Sequence, residues 1–295
     1  MDFQLKDKVA LVTGAARGIG YAECRSLAAE GVHIAIVDLD APAAEAAADS
    51  LLAIGVQAQA YVGDAANEAE VERIMGLVQH RFGRLDILVN NAGIGVKPSY
   101  VTEHMPVDAW DQMIHVHMRS TFLWSRAAIP LMAKGGFGRI VNTSSMNFTG
   151  GGRPGVSHYS AAKAGIAGFT RTLAKEVGPS GITANAIAPG YVETDLISTF
   201  TPEMRQVLCQ QNPVGRTCQP EEVAALVSFL CSAQAAFING ELVCMDGGRR
   251  DFFGTNFHDP YHWFSRPLYP GSWRHRQPLP AAHRIGLQDP RYRER

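Results

Sequence analysis

The chain has 295 residues, 46% hydrophobic and 19% charged, with a formal net charge of −1. This is the composition of a globule with chain enough for a sizeable core, and its charge balance excludes bulk attraction to nucleic acid or to an anionic membrane. Five cysteines, odd in number and without C-x-x-C spacing, argue against a disulfide framework or a zinc site, and make a reducing cytoplasm the expected compartment.

Met1 to Lys6 lacks the apolar core of a signal peptide, and no run reaches the roughly 18 apolar residues of a membrane span. Lys8–Val12 is a short apolar run suited to a buried strand. It enters Thr13-Gly14-Ala15-Ala16-Arg17-Gly18-Ile19-Gly20 and a helical stretch to Glu30. Glycine permits the tight turn at Gly14, and at Gly18 and Gly20 lets the backbone approach a pyrophosphate at the helix N-terminus, where amides and dipole favour anions. A second strand, Val32–Val37, ends in Asp38, 18 residues beyond Gly20. A carboxylate there can accept hydrogen bonds from both ribose hydroxyls and repels a 2′-phosphate. Strand, loop, helix, strand and acid in this order predict dinucleotide binding.

The alternation continues with a helix over Ala41–Ile54 and a strand near Gln57–Val62. Asp64-Ala65 follows at that strand's carboxyl end, where ligands gather in open parallel sheets. An amphipathic helix over Glu68–Phe82 leads to a strand at Leu85–Val89. That strand runs into Asn90-Asn91-Ala92-Gly93, small and polar residues able to pass close to a cofactor. A single long helix is predicted over Trp110–Met132, then a strand at Arg139–Thr143 that delivers Ser144 and Ser145. Tyr159 and Lys163 stand four apart in an Ala-rich run, hence on one helical face. A phenol beside an ammonium is a candidate acid–base pair, because an opposite charge lowers a tyrosine pKa from about 10 by roughly 1–3 units. Taken alone, the same spacing also describes a surface pair. Further strands are predicted at Ile182–Ala188, which ends in Pro189-Gly190, and at Glu241–Cys244, with a helix over Pro220–Cys231 between them. Repeated β–α units imply a doubly wound, mostly parallel sheet with helices on both faces.

The motifs Thr13-Gly14-x-x-x-Gly18-x-Gly20, Asn90-Asn91-Ala92-Gly93, Ser145, Tyr159-x-x-x-Lys163 and Pro189-Gly190-Tyr191-Val192-Glu193-Thr194 together resemble the classical short-chain dehydrogenases/reductases over about residues 5–248. The resemblance implies a single Rossmann-like domain with seven strands (residues 1–250) and a homo-oligomer, tetramer or dimer. It casts Tyr159 as general acid/base on the substrate oxygen, Ser145 as its partner on that oxygen, and Lys163 as the group that binds the nicotinamide ribose and lowers the tyrosine pKa. Asn91 should lie by the adenosine half, Asp64 and Ala65 by adenine, and Val192 and Thr194 by the carboxamide. Gly14, Arg17, Gly18, Ile19, Gly20, Asp38, Ala92, Gly93, Tyr159, Lys163, Pro189 and Gly190 complete the expected cofactor contacts. No metal is expected.

Two departures from the family pattern stand out. In the family pattern His117 occupies the position of a helix asparagine that works through its main-chain carbonyl in a proton relay, so it is taken as a relay position, with a packed histidine that has no catalytic part as the alternative. From Asp251 onward the chain holds 9 of 25 aromatics, 6 of 16 prolines and seven arginines, with four Leu, Ile or Val. Such a segment cannot form its own core. Residues 251–295 are expected to be an irregular extension, of which 251–275 packs on the body or on a neighbouring subunit. The expected activity is hydride transfer between NAD and a secondary alcohol of polyol, cyclic or hydroxyacyl type, with a small-molecule substrate and neither nucleic acid nor membrane as partner. An NADPH-driven carbonyl reductase of the 3-oxoacyl type and a non-catalytic dinucleotide-binding sensor or scaffold are the alternatives, since Arg17 is shared with many NADPH users.

Overall fold

Seven short runs, apolar on both faces, form the strands β1 (Val9–Thr13), β2 (His33–Asp38), β3 (Ala58–Val62), β4 (Ile87–Asn90), β5 (Gly138–Thr143), β6 (Ile182–Pro189) and β7 (Leu242–Met245). They make one sheet in the order β3-β2-β1-β4-β5-β6-β7, every neighbouring pair parallel. The computed structural model describes residues 2–150, 152–210 and 212–248. The 251–295 extension, with the packing expected of 251–275, lies outside the described residues.

The helices are α1 (Gly18–Ala29), α2 (Ala41–Leu52), α3 (Glu68–Phe82), α4 (Val107–Ile114), α5 (Ser120–Gly135), α6 (Asn147–Gly150), α7 (Ser157–Val177), α8 (Asp195–Ser198), α9 (Pro202–Gln210) and α10 (Pro220–Cys231). Side chains alternate across each strand, which feeds two cores. Ala10, Val12, Ile34 and Ile36 pack with Leu27 of α1, Leu51 of α2 and Val227 of α10. Val9, Leu11, Ala35 and Val37 pack with Ile74 of α3, Trp124 of α5 and Leu173 of α7. Helix starts follow local chemistry: Asp40 caps α2 by accepting from the Ala43 amide, and Asn67 caps α3 by accepting from Ala69 and Glu70. From β1 the chain winds outward to β2 and β3, then returns to β4 on the other side of β1. The carboxyl ends of β1 and β4 therefore flank the crevice at which open sheets of this kind bind ligands.

The helix predicted over Trp110–Met132 is not one helix. It begins at Val107, runs to Ile114, breaks into a π turn at His115–Arg119 and resumes as α5. The cause lies in the hydroxyls that follow. Ser120 Oγ donates to the Val116 carbonyl at 2.6 Å and Thr121 Oγ1 to the His117 carbonyl at 2.8 Å, so side chains compete for the helix acceptors. Single π turns of this sort cluster at functional sites. The short helices α6, α8 and α9 lie between the elements that the sequence pattern predicts.

Candidate active site

At the tip of β1 the glycine loop closes on the segment after β4. Thr13 Oγ1 accepts from the amides of Asn91 and Ala92, both at 3.1 Å, while Asn91 Nδ2 donates to the carbonyls of Thr13 (3.1 Å) and Gly14 (2.9 Å). Gly20 must be glycine here, because a Cβ on it would collide with the Gly14 carbonyl oxygen and lie 2.6 Å from Asn91 Nδ2. Asn91 thus spends its amide on the loop itself. The N-terminus of α1 carries no side-chain cap and no acidic residue in its first turn. Its amides are left for an anion, unlike those of α2 and α3, which have side-chain caps. Ile19 packs its side chain into the core beneath.

Asp38 ends β2 beside this loop. Its Oδ2 accepts from the Ala16 amide at 3.0 Å and its Oδ1 from the Asp40 amide at 3.1 Å, which leaves further lone pairs for ribose hydroxyls. Arg17 forms an ion pair with Asp40. Asp64 turns inward to cap Ala66 (2.8 Å), while the Ala65 carbonyl accepts from Trp124 Nε1 (3.1 Å) and the Ala66 carbonyl from Arg119 Nη1 (2.6 Å). At the opposite end, Pro189 closes β6, and Gly190 donates to the Met245 carbonyl at 2.9 Å. Val192 is buried and bridges Cys218. A Cβ on Gly18 would meet Thr194 Cγ2 at 3.6 Å, so the Pro189–Thr194 strip lies close to the glycine loop. These residues, from Gly14 to Thr194, form one continuous cradle that fits a dinucleotide.

The acid–base group stands beside it. The Ser145 hydroxyl hydrogen-bonds the Tyr159 phenol. Lys163 Nζ, buried, donates to the Thr143 carbonyl at 2.7 Å and lies 5.8 Å from the Tyr159 ring centroid. Ser144, whose hydroxyl bonds the Lys163 carbonyl at 2.7 Å, fixes that turn of α7. The lowering of the tyrosine pKa expected from the lysine does not hold. Burial pushes the phenol up, the Ser145 hydrogen bond pulls it back in part, and Tyr191 nearby adds to the rise. Although Tyr159 keeps some exposure as a residue, its hydroxyl end is enclosed by protein. Burial brings Lys163 down to about 7.

His117 sits against the same tyrosine, ring centroids 5.4 Å apart and edge to face. Its Nε2 is 3.1 Å from the Ile94 carbonyl and 3.3 Å from the Ile94 amide, and its ring covers Gly93, where a Cβ would fall 2.5 Å from the imidazole. Its main-chain carbonyl accepts from Thr121 (2.8 Å) and Ser120 (3.3 Å). The ring therefore serves the site while the carbonyl is taken up within the helix. Burial first, then the Lys163 charge, holds the imidazole well below its ordinary pKa, so it is neutral. His158, beside Tyr159 in the first turn of α7, is buried. Sequence reasoning gave no role to Asp40, which holds Arg17 and Asp38, or to Arg119 and Trp124, which donate to the Ala66 and Ala65 carbonyls. Thr13 was named only as the first residue of the glycine motif.

Residues 14–250 match the family described as enoyl-(acyl carrier protein) reductase. A 3-oxoacyl-[acyl-carrier-protein] reductase of Aquifex aeolicus is 38% identical over 250 residues, 84% of this chain and 99% of that one. The cis-4-hydroxycyclohexanecarboxylate dehydrogenase of Sinomonas cyclohexanicum is 39% identical over 242 residues, 82% of this chain and 96% of that one. A solved mutant of a short-chain dehydrogenase/reductase of Serratia marcescens superposes with a TM-score of 0.79 at 35% identity and covers 83% of this chain and 99% of that one.

Proposed function

The chain belongs to the classical short-chain dehydrogenase/reductase family, and from that premise we propose that it is an NAD-dependent dehydrogenase interconverting a secondary alcohol and a ketone. The observation that supports the choice of cofactor is Asp38, held at the tip of β2 beside the glycine loop by the Ala16 and Asp40 amides. A carboxylate there favours free ribose hydroxyls over a 2′-phosphate. The bound nicotinamide supplies hydride acceptance and return. Tyr159 takes the alcohol proton, and Ser145 steadies the same oxygen. Lys163 holds the nicotinamide ribose. His117 fixes the tyrosine ring and the Gly93–Ile94 backbone beside it.

Gly14, Gly18, Ile19, Gly20, Asp64, Ala65, Asn91, Ala92, Val192 and Thr194 form the cofactor cradle in this reading. The substrate is a small polyol, a cyclic alcohol or a hydroxyacyl compound. The five cysteines, all free, suit a reducing cytoplasm, and no helix among the described residues is long and apolar enough to cross a membrane. Val107 and Trp110 of α4 and Phe122 of α5, all exposed, suit a homo-oligomer, tetramer or dimer.

The second reading is an NADPH-driven 3-oxoacyl-type reductase, favoured by the names of relatives such as the Aquifex aeolicus protein and by Arg17 in the loop. A panel of secondary alcohols with NAD⁺ and NADP⁺, run beside a 3-oxoacyl thioester with NADH and NADPH, separates the two. Higher kcat/KM with NAD⁺ on an alcohol is the expected result. Preference for NADPH and the thioester would replace the first reading by the second.

A further inference from the structure

We propose that Asp40 is a second determinant of cofactor choice, because it holds the Arg17 guanidinium in an ion pair and so denies a 2′-phosphate its cation. The inference rests on the reading of Asp38 as the ribose-binding acid and extends it to the basic residue of the glycine loop. Four groups close a ring around this corner. The Ala16 amide donates to Asp38 Oδ2 at 3.0 Å, the Asp40 amide donates to Asp38 Oδ1 at 3.1 Å, Asp40 Oδ2 takes Arg17 Nη2, and Arg17 follows Ala16 in the chain.

The Asp40 carboxylate is not free to follow the arginine outward. Its Oδ1 caps α2 by accepting from the Ala43 amide at 3.2 Å, which fixes the side chain at the β2–α2 turn. Asp40 lies only two residues beyond Asp38, so a phosphate on the ribose 2′ oxygen would face two carboxylates and an arginine already neutralised by one of them. Arg17 by position alone resembles a phosphate-binding arginine, and Asp40 cancels it.

The pair is exposed, with side-chain accessibilities of 57% and 41%. An exposed ion pair holds its partners by a factor of about five at most. Asp40 therefore acts in concert with Asp38. While Asp38 remains, freeing Arg17 gains little for a 2′-phosphate; once Asp38 is neutral, freeing Arg17 matters. The signature is non-additivity that depends on Arg17.

Calorimetry with ADP and with 2′,5′-ADP tests this without turnover or nicotinamide. Asp40→Asn and, as a second variant, Asp40→Ser both remove the charge and keep a good helix cap, so α2 should stay folded. In an Asp38→Asn background, either substitution should tighten 2′,5′-ADP by roughly three- to fivefold while changing ADP less than about twofold. Adding Arg17→Ala should abolish the gain. An equal gain with Arg17→Ala present would mean that Asp40 acts by its own charge alone, and no gain at all would mean that the pair does not govern the site; either overturns the proposal. If the wild type binds 2′,5′-ADP more tightly than ADP, the reading of Asp38 fails instead. The Asp40→Asn and Arg17→Ala cycle in the wild-type background then decides the pairing separately: a gain that vanishes with Arg17→Ala supports it, and any other result overturns it.

Discussion

The cofactor side and the substrate side of the crevice are built on different terms. On the cofactor side, β1, the glycine loop, Asp38 and Asn91 are tied through backbone groups: Thr13 to Asn91 and Ala92, Asn91 to Gly14, Asp38 to Ala16. On the other side, the segments around α8 and α9 also make side-chain ties, with Arg205 of α9 paired to Glu193, Thr217 Oγ1 on Glu193 at 2.9 Å, and Lys97 on Thr199 at 3.4 Å. Ties to the backbone fix a shape that every dinucleotide shares, whereas side-chain ties can change without disturbing the sheet. One half is therefore common chemistry and the other is where selectivity resides.

Tyr159 stands on the border of the two, and its removal should give the largest effect. Tyr159→Phe keeps the ring and its contact with His117 but takes away the proton carrier, so kcat should fall by a factor on the order of 10²–10⁴ with NAD⁺ affinity nearly intact. Steady-state rates paired with NAD⁺ calorimetry check this; more than about a tenth of the wild-type rate would remove Tyr159 from the role. Because burial raises the phenol pKa, the phenolate that oxidation needs is scarce at neutral pH. The oxidation rate should accordingly climb with pH above 7, while ketone reduction, which needs the protonated phenol, should hold steady until the pH passes about 10. A pH profile of both directions would expose the opposite sign.

Gly20→Ala tests the backbone-built half. Its Cβ would press on the Gly14 carbonyl and on the Ala15 Cα, backbone that cannot swing aside as a side chain would. NAD⁺ should bind at least about tenfold more weakly, since two displaced loop amides cost a few kcal/mol of anion binding. The rate at saturating NAD⁺ should change far less. Equal losses in both quantities would show that the two halves are not separable.

That division also explains what could be read in the sequence. The strand–loop–helix order, Asp38 and the Tyr159/Lys163 pair were legible, because each reflects a demand of backbone geometry or helix spacing at a fixed place in the chain. The π turn at His115–Arg119 was not, since it depends on which carbonyls the Ser120 and Thr121 hydroxyls select. Nor was the rise in the Tyr159 pKa, because charge pairing is visible in a sequence and desolvation is not. Nor was the grip of Asp40 on Arg17, which appears only when two loops 23 residues apart meet.

His117 offers a smaller test on the same border. The ring packs edge to face on Tyr159 and bonds the Ile94 backbone, an arrangement worth about 0.5–1.5 kcal/mol, or roughly two- to tenfold. Both His117→Asn and His117→Ala should lower kcat within that range while leaving NAD⁺ affinity and the fold unchanged. A loss in both variants as large as that of Tyr159→Phe would give the imidazole a chemical role.

The smallest expected effect on turnover comes from Glu23, and its effect on stability sharpens the comparison from the other side. Glu23 lies in α1, the helix that presents the glycine loop, fully buried with neither carboxyl oxygen hydrogen-bonded. Burial pushes its pKa from 4.5 up to about 8. Between those two values the folded protein holds a proton that the unfolded chain has released, so this group's contribution is fully present below about 4.5 and is lost as pH rises through about 8. Each pH unit in that window is worth about 1.4 kcal/mol, a few kcal/mol in all. Lys163 acts in the opposite sense, but only from about 7 upward, where the unfolded lysine keeps a proton that the folded one gives up. The buried imidazoles of His117 and His158, both held below 6.5, also act in the opposite sense below about 6.5, so the difference between the wild type and Glu23→Gln in thermal melts from pH 5 to 7 is what isolates Glu23. Relative to Glu23→Gln the wild type should lose stability as pH rises across that range, and Glu23→Leu should melt higher than the wild type at pH 7 because an orphaned polar group leaves the core. NAD⁺ affinity and kcat should stay within about twofold, as the loop is held by Thr13 and Asn91 rather than by the interior of α1. A wild type whose melting stays parallel to that of Glu23→Gln from pH 5 to 7 would mean that Glu23 reaches solvent or a partner group in solution.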